Sequence, residues 1–206
     1  MTQTRLATKD IDFPLLEFYA ASSHVACDIE TTGLDWDSDR IGTCQLHSPE
    51  AGTTVIQIGQ NRPDNLCKLL ENENVVKIFH HAPFDLRFMI NKWSLTPTSI
   101  ECTKVASKML KPDARQDRHS LQYLLRDELG VNIDKTERMS DWTTSNLTEA
   151  QVAYASSDVL HLIPLARTLK TKLNNAGLLE IYKKCCSFLP LHAEIKIRRW
   201  PDLFSY

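Results

Sequence analysis

"CDIETTGLDW", residues 27–36, starts inside an apolar strand and ends in a turn-rich stretch. The strand candidate is "HVACDI" (24–29), short and internal in character. Residues two apart on a strand face the same side, so Asp28 and Glu30 project together at its C-terminal end. That is where α/β folds usually keep their sites. One buried unpaired carboxylate is expensive, and two neighbours also repel each other. A hard divalent cation removes both penalties, because such ions prefer oxygen ligands.

Outward from this strand the chain alternates. "IGTCQLH" (41–47) and "TTVIQIG" (53–59) read as the next strands, the second with a period of two. "DNLCKLLEN" (64–72) puts Leu66, Leu69 and Leu70 on one helix face. "VVKIFH" (75–80) is a strand and "PFDLRFMINKW" (83–93) a helix, with Pro83 tolerated in its first turn. Residues 99–110 start extended and become helical, and 111–118 form a polar loop. A helix over 119–129 is stopped by Gly130. The spacing predicts one long helix over 147–173, opened by the capping box of Thr148 and Gln151 and kinked at Pro164. A last helix is expected from about Gly177 to Leu189, followed by a tail. Early strands with helices between and after them predict an α/β fold: one sheet covered by helices.

The bulk numbers agree with a single domain over 1–206. Of 206 residues, 42% are hydrophobic and 24% charged, which supports a packed core. The net charge of -2 shows no basic excess of the kind that grips long duplexes, so a polyanionic substrate is expected to be short or held through metal ions. The six cysteines contain no C-x-x-C and read as free thiols in a reducing compartment. "FPLLEFYAA" is interrupted by Glu17 and preceded by acids, unlike a secretory signal, and no stretch is long enough to span a bilayer. The expectation is a cytoplasmic protein with no membrane partner.

Two further features join the acidic pair. Asp85 sits at the start of a helix in "FDLRFMI" (84–90). Tyr154 and Asp158, in "YASSD", share one face of a later helix at spacing i, i+4. An acid and a phenol on a largely packed helix need partners.

Jointly these residues resemble the DEDDy 3′–5′ exonuclease signature. "FDLRF", "LGVNIDKTERMSDW" (129–142) and "SDWTTSNLTEAQVAYASSDVLHLIPL" (140–165) look like ribonuclease D. "CTKVASKML", "DRHSLQYL" and "FLPLHAEIKIRRWPDLF" resemble the single-domain nano-RNase C group. The sequence departs from the family at "HHAPFD", where His81 stands in place of a common Asn.

The resemblance implies a ribonuclease H-like mixed β-sheet flanked by helices. It implies a two-metal phosphodiester hydrolase whose catalytic residues are Asp28, Glu30, Asp85, Tyr154 and Asp158. Two Mg2+ or Mn2+ ions, roughly 3.5–4 Å apart, would be held by the four acids. Asp28 would bridge them, Glu30 and Asp158 would complete the water-binding ion, and Asp85 would hold the second. Tyr154 would orient the attacking water; the family's histidine variant uses a position that here is Ala153. Thr31, Thr32, Gly33 and Leu34 would meet the terminal nucleotide, with Leu34 as a wedge against a base. His81, Arg118 and His119 are candidate phosphate or ribose contacts.

The implied activity is 3′–5′ hydrolysis of short single-stranded RNA to nucleoside 5′-monophosphates. The alternatives are a DNA 3′–5′ exonuclease, a tRNA 3′-trimming enzyme on the same fold, and a non-catalytic nucleic-acid-binding module. Residues 190–206 are expected to serve assembly into a homo-oligomer, in line with the rings of the nano-RNase C group.

Overall fold

The computed structural model describes residues 4–134 and 136–205. Its strands are β1 (Arg5–Lys9), β2 (His24–Thr31), β3 (Ile41–Ser48), β4 (Gly52–Ile58), β5 (Val76–Phe79) and β6 (Ile100–Cys102). They form one mixed sheet in the order β1-β4-β3-β2-β5-β6. The hairpins β2–β3 and β3–β4 are antiparallel. The pairs β1–β4, β2–β5 and β5–β6 are parallel. This is a ribonuclease H-like mixed sheet flanked by helices, as expected.

The helices are α1 (Phe13–Ala20), α2 (Asp64–Glu71), α3 (Ala82–Trp93), α4 (Thr103–Leu110), α5 (Leu121–Leu129), α6 (Glu149–Leu160), α7 (Leu162–Asn175) and α8 (Leu179–Ile197). Their apolar faces close over the sheet, and one continuous core runs from Ile11 to Ala193. Five of the six cysteines are buried in it and Cys185 is exposed; all six are free thiols.

Four elements differ from the sequence reading. The edge strand β1, with a solvated pattern and no alternation of apolar residues, gives no periodic signal. Helix α1 starts at an Asp12 cap whose side chain accepts from the Leu15 N–H, and Pro14 sits in its first turn. Its anchor is the buried Tyr19, whose hydroxyl donates to Thr54 Oγ1 over 2.9 Å. The helix expected over 147–173 is two helices. The chain leaves helical geometry at His161, and Pro164 falls in the first turn of α7, where a missing N–H has no helical partner to lose. It marks a start, not a kink.

The last helix runs eight residues further than expected, to Ile197, with Pro190 inside it. Ala193 and Ile195 are buried against the domain, so the front of the expected assembly tail belongs to the core. Beyond the helix, Phe204 meets Phe188 of α8 edge-on at 6.1 Å. Phe204 is nevertheless 78% exposed, and Trp200 and Leu203 are also exposed. Tyr206, the end of that tail, lies outside the described residues.

Candidate active site

Strand β2 carries the first two acids. Asp28 stands opposite Gln45 and Glu30 opposite Thr43, and the register shifts between Glu30 and Thr31. Gln45 and Thr43 are fully buried, and Gln45 Nε2 donates to Thr43 Oγ1 over 2.6 Å. The acids therefore stand beside a fixed polar floor, themselves only half-buried.

On its other side β2 is paired by β5 only from His24 to Ala26. Past that point the edge is open, because the chain leaves β5 through His80 and His81 and turns into α3. Helix α3 brings Asp85, 3% exposed, to this open edge. Burial pushes the Asp85 carboxyl up to about 7, against the opposing pull of the Asp85 and Ile29 backbone N–H groups. Ile29 lies between Asp28 and Glu30, so Asp85 backs onto the strand at the acidic pair.

Helix α6 crosses β2, β3 and β4 and delivers Tyr154 and Asp158, both buried. Its start is fixed by the reciprocal cap between Thr148 and Gln151. Gln151 Nε2 also donates to the Asp141 carbonyl over 3.0 Å, tying the helix to the preceding loop. That loop supplies Trp142, whose ring lies 5.7 Å from the Tyr154 ring. Single oxygens of Asp28, Glu30 and Asp158 all lie within 4.8 Å of one another.

This donor set fits hard cations. It offers oxygen only, from three carboxylates on two elements, with a fourth carboxyl beside it that burial drives toward its neutral form.

The segment after Glu30 is a hydrogen-bonded loop. Thr31 Oγ1 donates to the Gly33 carbonyl over 2.6 Å, and Thr32 Oγ1 donates to Asp39 Oδ1 over 3.1 Å. A Cβ on Gly33 would fall 2.4 Å from the Asp39 carboxylate, so only glycine allows that approach. Leu34, 81% exposed, stands clear of its own domain. An apolar side chain this free is available to pack against a flat ligand.

His81 is exposed and precedes the first turn of α3. Loss of water around its ring, then repulsion by Lys104, Arg87 and Lys108, holds the imidazole well below its usual range. It is therefore neutral at pH 7. These three cations gather around it from α3 and α4; of their positions, only the i, i+4 spacing of Lys104 and Lys108 is visible in the sequence.

Arg118 and His119 separate. Arg118 is exposed, donates to the Tyr123 hydroxyl over 2.8 Å and lies over that ring at 4.7 Å. His119 is 1% exposed, with Nδ1 2.8 Å from Ser107 Oγ of α4. Its ring is held inside the domain, and a phosphate contact through His119 stays an expectation. Trp142, Gln151 and Gly42, at which an added Cβ would fall 2.4 Å from the Trp142 carbonyl oxygen, carry no role at the site in the sequence reading. Of these, Gln151 was legible only as a helix cap.

Comparison with known proteins follows the same lines. Residues 8–174 match the 3′–5′ exonuclease family. DNA polymerase I of Aquifex aeolicus is 32% identical over 153 residues, covering 74% of this chain and 25% of the polymerase. Ribonuclease D of Serratia proteamaculans is 27% identical over 155 residues, covering 75% of this chain and 41% of that protein. The chain thus spans a minor part of these curated relatives' length. The structure of Brucella melitensis NrnC is similar along all of both chains, with 35% identity and a TM-score of 0.91. NrnC structures also exist with bound Mg2+ and bound to pGG. Among the described residues of the present chain, no helix is long and apolar enough to cross a membrane. With most of its length matched by the family and its whole fold shared with NrnC, the chain belongs to the 3′–5′ exonuclease family.

Proposed function

We propose that the protein is a metal-dependent exoribonuclease that removes nucleoside 5′-monophosphates from the 3′ end of short single-stranded RNA. The observation that carries this reading is the convergence of Asp28, Glu30 and Asp158 oxygens within 4.8 Å, with Asp85 and Tyr154 on the flanking helices. Asp28, Glu30, Asp158 and Asp85 are the residues that would hold two Mg2+ or Mn2+ ions. Such ions supply an activated water and stabilise charge on the departing oxygen.

The chain's own residues do the rest. Tyr154 offers its hydroxyl to orient the attacking water, and Trp142 fixes its ring. Leu34 packs against the terminal base, while the Thr31–Arg40 loop holds that wedge in place. Neutral His81 keeps one N–H for a phosphate or ribose oxygen. Lys104, Arg87 and Lys108 supply positive charge beside it.

The preference for short strands is supported by two facts. The chain carries no basic excess for a long polyanion. NrnC, similar over its whole length, has been seen with pGG. A DNA substrate is the second reading, favoured by the polymerase relative. Chain-length-resolved digestion of matched RNA and DNA oligonucleotides, with Mg2+ and with EDTA, separates them. Stepwise loss from the 3′ end of short RNA is expected. Equal or faster digestion of DNA would move the assignment to the second reading, and cleavage of neither would leave a binding module.

A further inference from the structure

Helix α8 ends in a motif that nearly always takes glycine. The Arg199 N–H donates to the Lys196 carbonyl over 3.0 Å, and the Trp200 N–H reaches the Ile195 carbonyl at 3.4 Å. This is the paired bonding of a Schellman termination. Its left-handed residue, at φ +54°, is Arg199. Glycine adopts that conformation without steric penalty and arginine does not.

What the arginine side chain does there is specific. Its NH2 lies 2.7 Å from Asp37 Oδ2, and its guanidinium carbon lies 5.5 Å from the centre of the Trp36 ring. Trp36 and Asp37 belong to the loop that presents Leu34. The end of α3 grips the same two residues by their carbonyls: Asn91 Nδ2 donates to Trp36 O over 3.1 Å and Lys92 Nζ to Asp37 O over 2.8 Å. Within the loop, Asp35 and Asp39 accept from backbone N–H groups of Asp37 and Asp35. The loop is thus tied internally, held from one side by α3, and closed from the other by a residue 162 positions later in the chain.

The geometry points to Arg199 as a positioning residue that sets the Leu34 wedge, and thereby the affinity for the terminal nucleotide. This rests on the exonuclease reading above for its consequence, but not for the brace itself. The guanidinium of this left-handed arginine both stacks and pairs, which neither glycine nor lysine does in full. The contacts of Arg199 fall on Trp36 and Asp37, in the loop that carries Leu34, so its influence falls on binding more than on turnover.

The test uses the full chain and its Arg199→Gly and Arg199→Lys variants. Arg199→Gly relieves the backbone and removes the brace, so global unfolding is unchanged or shifted slightly upward. Hydrogen exchange of the Asp35, Asp37, Asp39 and Arg40 amides is expected to quicken in Arg199→Gly. On a short RNA, KM is expected to rise about three- to tenfold with kcat within about twofold, since an exposed pair and a cation–π contact contribute modestly. Arg199→Lys, keeping charge without the planar stack, falls between. Unchanged loop exchange in Arg199→Gly overturns the brace whether or not the protein cleaves RNA. Quickened exchange with unchanged KM overturns the link to the wedge, as does an equal fall in kcat and stability. A wild-type chain that cleaves no oligonucleotide defeats the exonuclease reading alone, and exchange then decides the brace.

Discussion

Trp142 and Tyr154 lie with ring centres 5.7 Å apart and planes tilted by 38°, and Gly42 of β3 lies against the backbone of that tryptophan. A Cβ at Gly42 would fall 2.4 Å from the Trp142 carbonyl oxygen and 2.7 Å from its Cβ. Strand β3 therefore touches the tryptophan's backbone, and the tryptophan in turn braces the phenol. Gly42→Ala is expected to destabilise the fold by about 1–3 kcal/mol through overpacking. Turnover should fall further than stability explains, read at a temperature where the variant is fully folded. Wild-type kcat in the folded variant would break this chain of contacts.

Tyr154→Phe keeps the ring contact and removes the hydroxyl. If that hydroxyl orients the attacking water, kcat is expected to fall by ~10²-fold or more with little change in KM. Steady-state kinetics on a short RNA decide it, and a variant that turns over normally reduces Tyr154 to a packing role.

At an effective dielectric of ~20, two ionised carboxylates at the spacing of the acidic triad repel by about 3 kcal/mol. Asp158→Asn removes two of those repulsions. Metal-free, the variant is expected to unfold at or above the wild-type temperature; with Mg2+ supplied to both, it is expected to lose about 10²-fold in activity. Added Mg2+ should raise the melting temperature of wild type more than that of the variant. Full wild-type activity in excess EDTA, after prior metal removal, would contradict the role given to the acids.

Lys77 on β5 is fully buried, and its Nζ donates to the Asn72 carbonyl over 2.6 Å. Burial lowers its pKa from 10.5 to about 8, opposed by the nearby Cys27 thiol. Between those values the unfolded chain binds more protons than the folded one, so this group's contribution to stability rises with pH across the window. Below pH 8 the buried ammonium is charged and costs the fold about 3 kcal/mol. Lys77→Met is expected to be more stable than wild type at pH 7, and the gap should narrow between pH 8 and pH 10.5. Urea titrations across that range measure it; a constant gap would mean the lysine is buried at no electrostatic cost.

The exposed apolar end remains the candidate assembly surface. Since α8 holds Ala193 and Ile195 in the core, truncation has to begin after Arg199. Deleting residues 200–206 removes Trp200, Leu203 and Phe204 without opening the domain. The expected result is a smaller particle by light scattering with unchanged unfolding. A full-length protein that is monomeric at micromolar concentration would end the assembly proposal.

The legible part of this molecule was whatever a short-range pattern encodes. The i, i+2 acids on β2 and the i, i+4 pair on α6 follow from strand and helix periods. The Thr148–Gln151 box fixed where α6 begins, and Gly130 fixed where α5 ends. What stayed hidden depends on contacts far apart in sequence. Strand β1 is largely solvated, with Ala7 alone of its residues packed on the core, and is identified by its partner β4. Gly42 looks like any strand glycine until Trp142 is seen against it. His119, in a polar run, looked available, yet its ring is buried and lies within hydrogen-bond distance of Ser107 on a neighbouring helix. Pro164 shows that a helix is interrupted without saying on which side of the proline the break falls. Arg199 gave no signal, because a left-handed arginine is not written in any local pattern.

The alternation of β2 has a consequence for how this sequence can drift. Asp28 and Glu30 share a face only because one residue separates them. Ile29 can become valine or leucine with little effect on that arrangement. If it were doubled or lost, one acid would turn to the opposite face of the sheet, and the register shift beyond Glu30 could not restore it. At this point of the chain the number of residues is held more tightly than their identity, and a single inserted or deleted codon is more damaging than most substitutions.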